Sequence, residues 1–141
     1  MYRDKYSTSK NPPYPVIRGF RVFSTPLAWE QTFPEALVDT GSDVSILPAS
    51  SFQLLINASD ACHRYVIYDQ IEVAGITGKQ TDVPLFLLEF EMPEAGRIME
   101  ATFLMLGEHA LIGRNILNRY RIVLDGTPDE STVPKLTVAH L

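Results

Sequence analysis

The chain has 141 residues, 45% of them hydrophobic, with a formal charge of −5 and a single Cys. That length suits one domain with a real core, and no period or biased run points to a collagen-like, coiled-coil or repeat protein. The acidic balance and the scattered Lys and Arg speak against a nucleic-acid partner, which needs a basic stripe, and no apolar run reaches the roughly 20 residues that span a bilayer.

Residues 1 to about 15 are polar and rich in Pro, ending in Asn11-Pro12-Pro13-Tyr14-Pro15. They predict an extended or mobile arm ahead of a domain over residues 16–141. The polar start leads into no apolar segment, so no signal peptide is expected. Val16 to Phe23 carries β-branched and aromatic residues at strand density. Phe33 to Val38 reads as a second strand, with Pro34 near its start. Asp39-Thr40-Gly41-Ser42-Asp43 is a polar loop, and Val44 to Leu47 resumes a strand. Pro48 to Leu55 predicts a short helix with Pro in its first turn.

Tyr65 to Ala74 is a strand pattern closed by Gly75-Ile76-Thr77-Gly78, a turn signal. Val83 to Met92 and Ile98 to Leu106 are strand-like, with Glu94-Ala95-Gly96 as the turn between them. Leu111-Ile112 precedes Gly113, and Arg114 to Tyr120 predicts two helical turns. Arg121 to Leu124 and Lys135 to His140 are the last strands. Many short strands with one or two short helices predict an all-β barrel or sandwich. Trp29, Phe20, Phe23, Phe52, Phe86, Phe90 and Phe103 are expected in the core or an interface.

Chemistry concentrates in Ala36-Leu37-Val38-Asp39-Thr40-Gly41-Ser42-Asp43-Val44-Ser45-Ile46-Leu47. A carboxylate follows a buried-type strand directly, with apolar residues on both sides holding its loop against a core. Desolvation there raises a carboxyl pKa. Gly41 lets backbone N–H groups come close, and Thr40 and Ser42 supply hydroxyls. The plainer reading of the same residues is an Asp-Gly type turn bearing a surface acid.

The segment resembles the active-site motif of the aspartic peptidases, apolar-apolar-Asp-Thr-Gly-Ser/Ala followed by apolar residues. Ala110-Leu111-Ile112-Gly113-Arg114-Asn115-Ile116-Leu117, about seventy residues later, is similar to the apolar-Gly-Arg-Asn segment of the retropepsins, the single-lobed, retroviral-type members. Order and separation match, over about residues 16 to 125. The resemblance implies a small closed β-barrel of the retropepsin type, one lobe per chain. It also implies peptide-bond hydrolysis by two carboxyls about 3 Å apart that share one proton.

The chain offers one Asp-Thr-Gly. Asp125-Gly126-Thr127 has the wrong order, and Asp4, Asp60, Asp69, Asp82 and Asp129 lack that context. The catalytic Asp39 must therefore meet the Asp39 of a second copy, so a symmetric homodimer acting on peptide or protein substrate is expected. By the same resemblance Thr40 bonds across the axis and Gly41 offers its N–H to the carboxylates. Ser42 is expected to donate to Asp39 and favour its ionised form, so that Ser42→Ala raises the pH profile. Asp43 pairs with Arg114, at roughly 3–5 kcal/mol if the pair is buried. Gly113 permits close packing behind the loop. Gly75, Ile76, Thr77 and Gly78 form the tip of a flap that closes over substrate.

No metal or organic cofactor is implied. Cys62-His63 lacks a second Cys for zinc, and the lone Cys leads to the expectation of a reducing, cytoplasmic setting. The terminal strand Lys135 to His140 is expected as an exposed edge used in dimerisation. The competing expectation is a non-catalytic dimerisation or peptide-binding module on the same fold.

Overall fold

The computed structural model describes residues 1–10, 12–59, 67–75, 78–94, 97–126 and 134–140. In chain order it holds β1 (Tyr2–Lys5), β2 (Val16–Ile17), β3 (Phe20–Ser24), β4 (Trp29–Phe33), β5 (Ala36–Val38), β6 (Ser45–Leu47) and α1 (Ala49–Ser59). Then follow β7 (Ile67–Gly75), β8 (Gly78–Glu91), β9 (Ile98–Met105), β10 (Ala110–Ile112), α2 (Arg114–Leu117), β11 (Tyr120–Asp125) and β12 (Lys135–His140).

Nine strands make the main sheet in the order β2-β5-β10-β6-β9-β8-β3-β4, with β7 paired to β8. The first two predicted strands are a single hairpin with a matched interruption. Val16 faces Leu37 and, further on, Phe20 faces Phe33. Between those pairs one strand turns at Gly19, whose φ is +80°, and the other passes Pro34, which has no N–H to give. The Gly19 N–H still reaches the Phe33 carbonyl at 3.0 Å.

Alternation builds the core. Phe86, Leu88 and Phe90 of β8 point inward, while Leu87 between them is exposed. Phe20 and Phe90 meet with ring centroids 5.8 Å apart. Leu55 of α1 is buried, as is Ser51 one turn before it, and the Ser51 hydroxyl donates to Gln31 Oε1 at 2.7 Å. Phe52, expected in the core or an interface, is 39% exposed on the single chain. It lies on α1 with its ring tilted against that of Phe86, the centroids 5.9 Å apart.

The termini form a separate three-stranded sheet, β1-β12-β11. The segment expected as an extended or mobile arm thus contributes a strand, with Tyr2 buried and registered on Val138. The expectation of an exposed edge at Lys135–His140 is overturned. β12 is the central strand, paired with β1 on one side and with β11 on the other. Its backbone groups are already used within the chain, so a second copy cannot add there.

Candidate active site

Two segments far apart in sequence lie side by side. β10 runs parallel to β5, with Ala110 opposite Ala36 and Ile112 opposite Val38. It runs antiparallel to β6, with Leu111 opposite Ile46. β5 and β6 are consecutive in the chain, yet β10 is threaded between them. The loop carrying Asp39 must therefore bridge over the end of β10, which holds it from below.

The backbone bonds follow from that threading. The Asp39 N–H donates to the Ile112 carbonyl at 3.0 Å, continuing the parallel ladder one step. Arg114 N–H donates to Ser42 O at 2.8 Å, and Asn115 N–H to Asp43 O at 3.3 Å. The Gly41 N–H donates to Asp39 Oδ1 at 2.9 Å, so the loop itself fixes the carboxyl. A Cβ at position 41 would stand 3.2 Å from that same oxygen and displace it. Thr40 and Gly41 are exposed at the loop tip, and Asp39 is half-buried beneath them.

Gly113 is the closest approach. A Cβ there would lie 2.5 Å from the Val44 carbonyl oxygen and 2.9 Å from the Ser42 oxygen, both backbone. The residue is required by space, at φ −96° and ψ −176°.

A polar relay that starts from a buried Ser, absent from the expected site, supports this contact. The Gly113 N–H donates to Ser45 Oγ at 3.0 Å. Ser45 Oγ donates to Asn115 Oδ1 at 2.7 Å, and Asn115 Nδ2 donates to the Thr102 carbonyl at 2.8 Å. Ser45 is fully buried. Its signal in the sequence is a small hydroxyl inside the apolar run Val44-Ser45-Ile46-Leu47, since a buried polar group needs a partner.

Two expectations change. The Ser42 hydroxyl donates to the Val44 carbonyl at 2.7 Å, not to Asp39. A hydroxyl has one hydrogen, and here it is spent bracing the loop. The expected effect of Ser42 on the acid has no support in this geometry. Asp43 and Arg114 do form an ion pair, but it is not buried, with side chains 79% and 50% exposed. An exposed pair is worth about 0–1 kcal/mol, well below the buried figure.

The β7–β8 hairpin ends with Gly75 paired to Gly78. Ile76 and Thr77, expected at the tip, lie outside the described residues, as do Cys62 and His63. Val83 and Leu85 at the base of the hairpin pack with Leu104, and the half-buried Val44 and Ile46 join them. This cluster links the hairpin to the strand that leaves the Asp39 loop. Among the described residues no group of three or more His, Cys, Asp or Glu is placed to hold a metal ion.

No protein-family model matches the chain, and no curated protein matches it. Among solved structures it is similar to the EIAV protease in complex with the inhibitor HBY-793, at a TM-score of 0.52 and 19% identity. The match covers 82% of this chain and 92% of that one. At such identity the likeness is one of architecture, and with the threaded β10 it establishes that the chain has a retropepsin-like fold.

Proposed function

We propose that the protein is an aspartic endopeptidase, active as a homodimer that hydrolyses peptide bonds between two Asp39 carboxyls. The observation that supports this most is the setting of Asp39. Its carboxyl is held by the Gly41 N–H on a loop that β10 braces from below. A plain surface turn needs none of this bracing.

Each chain supplies one such acid. The second comes from another copy related by a two-fold axis, with the exposed loop tip at Thr40 and Gly41 near that axis. Two carboxyls about 3 Å apart hold one proton between them, because both cannot ionise. The ionised one takes a proton from a bound water, whose oxygen attacks the scissile carbonyl carbon. The other gives its proton to the carbonyl oxygen. The resulting diol collapses, the C–N bond breaks, and the amine leaves with a proton returned from the dyad. The β7–β8 hairpin acts as the flap that covers bound peptide and excludes water.

The test is digestion of casein across pH 3 to 7 beside Asp39→Asn, with sedimentation to report the assembly state. The variant is expected to stay folded and to lose about 10³-fold or more in rate, as removal of a general acid and base does. Equal behaviour of both proteins would replace the enzyme with a non-catalytic dimerisation or peptide-binding module. Full activity from a monomer would sink the shared dyad.

A further inference from the structure

β1 lies at the edge of the terminal sheet, with β12 on one side and no strand on the other among the described residues. Successive residues of an antiparallel strand send their N–H and C=O alternately toward the neighbour and away from it. The Tyr6 N–H donates to the Pro134 carbonyl at 2.9 Å, which carries the β1–β12 register one step further. Tyr2, Asp4 and Tyr6 therefore bond toward β12, and Arg3, Lys5 and Ser7 turn their backbone groups to the open edge. Such a row is a template for a further strand.

Two of these three outward positions are closed from within the chain. Ser7 gives its N–H to the Tyr14 carbonyl at 2.9 Å and accepts the Tyr14 N–H on its own carbonyl at 3.1 Å. At Lys5 side chains do the same. The Lys5 N–H donates to Asp4 Oδ1 at 2.8 Å, and Arg18 Nη1 donates to the Lys5 carbonyl at 2.6 Å. The same Arg18 nitrogen lies 3.0 Å from Asp4 Oδ2, so carboxylate and guanidinium hold one another along the edge. The backbone N–H of Arg18 donates to Tyr2 Oη at 2.8 Å, which sets that residue against β1. Among the described residues only Arg3 keeps both backbone groups for a newcomer. One rung of hydrogen bonds, each of modest net value, does not hold a strand.

Asp4 acts a second time. Across a new antiparallel seam, outward residues can face only outward residues. Within Tyr2–Lys5, a second β1 can then join at two rungs in a single register, with each Arg3 opposite the Lys5 of the other copy. That register sets the two Asp4 residues directly opposite, in a non-hydrogen-bonded pair where side chains come closest. Like charges in such a pair repel.

We propose that Asp4, together with Arg18, is a guard that closes the β1 edge to strand addition by a second copy of this chain. The guard is independent of the chemistry at Asp39.

The test uses the full chain at neutral pH. In wild type, the Lys5 amide is expected to be protected from hydrogen exchange about tenfold more than the Arg3 amide, since only the former is bonded. Asp4→Ala/Arg18→Ala is expected to lose that difference. In sedimentation velocity it is expected to form species of twice the wild-type mass and above, its self-association tightened by about tenfold or more. Adding Arg3→Pro is expected to restore the wild-type size. The ring removes an N–H that only a newcomer would use, and an edge position tolerates it. A double variant that sediments as wild type at every concentration overturns the guard, and so does association that survives Arg3→Pro. Equal protection of Lys5 and Arg3 in wild type also overturns it. Should the double variant fail to fold, Asp4→Ala alone frees the Lys5 N–H and lifts the repulsion, and the same outcomes decide.

Discussion

Gly113→Ala would drive a methyl group against two backbone oxygens, neither of which can step aside like a flexible side chain. Overpacking of this kind costs about 1–3 kcal/mol. The variant is expected to lose that much in urea unfolding and, under the proposed function, to lose peptidase rate further, because the displaced partner is the Asp39 loop. Ser45→Ala acts differently. It leaves the buried Gly113 N–H without its acceptor and the half-buried Asn115 Oδ1 without its donor. A loss of about 1–3 kcal/mol is expected from the unpaired groups. Arg114→Ala, by contrast, removes an exposed partner of Asp43 and should shift the urea midpoint by less than about 1 kcal/mol equivalent. A loss of several kcal/mol there would show that the pair is buried in the working assembly.

At the scale of elements, β1 separates a strand from a loose arm. Tyr2 is buried, and its hydroxyl accepts the Arg18 N–H at 2.8 Å. Tyr2→Ala is expected to cost about 3 kcal/mol, as truncating a buried aromatic does, whereas a mobile arm would give no change in the unfolding midpoint. β1 is hard to read from Tyr-Arg-Asp-Lys because three of its four residues are polar, and its partner lies at the other end of the chain. β4 hides for a similar reason. Glu30, Gln31 and Thr32 lie between the buried Trp29 and Phe33 on a strand at the sheet's end.

Strands with apolar alternation were legible, and β12 occupies the range its sequence predicts. Val16 to Phe23 and Phe33 to Val38 each read as one strand, and neither the breaks at Gly19 and Pro34 nor their matched placement across a hairpin was legible. The acid motif and the Gly-Arg-Asn segment were visible as separate pieces. Their contact through β10 was not, since strand pairing over such a distance leaves no local trace. Nor did the residues show where a hydroxyl such as that of Ser42 spends its one hydrogen.

For the whole molecule, Arg18 ties the two sheets together. Its guanidinium meets Asp4 of β1 at 3.0 Å and Glu35, beside β5, at 3.5 Å. It also donates to the Lys5 carbonyl at 2.6 Å. Burial pushes the Asp4 carboxyl up, but the Lys5 N–H and the Arg18 guanidinium outweigh it and hold it below its ordinary value. A carboxyl lowered in the folded state contributes stability that is present above its unfolded pKa. That contribution fades as pH falls through the folded value. The side chain is more than a third exposed, so solvent keeps the effect small. Asp4→Asn is expected to flatten the acid limb of the stability profile below about pH 4, read as the urea midpoint against pH. An unchanged limb would assign acid sensitivity to other carboxyls. The point bears on the assay of the proposed function, since a fall in rate toward pH 3 would include loosening of the terminal sheet.

The threading of β10 also sets a schedule. During synthesis Asp39 leaves the ribosome well before Ile112 and Gly113 exist to cradle it, and contacts of such long sequence separation form slowly. A growing chain therefore carries the acid on an unsupported loop until β10 has followed it out. The bracing of Asp39 is thus a late event in folding, set by the strand order and not by the motif itself.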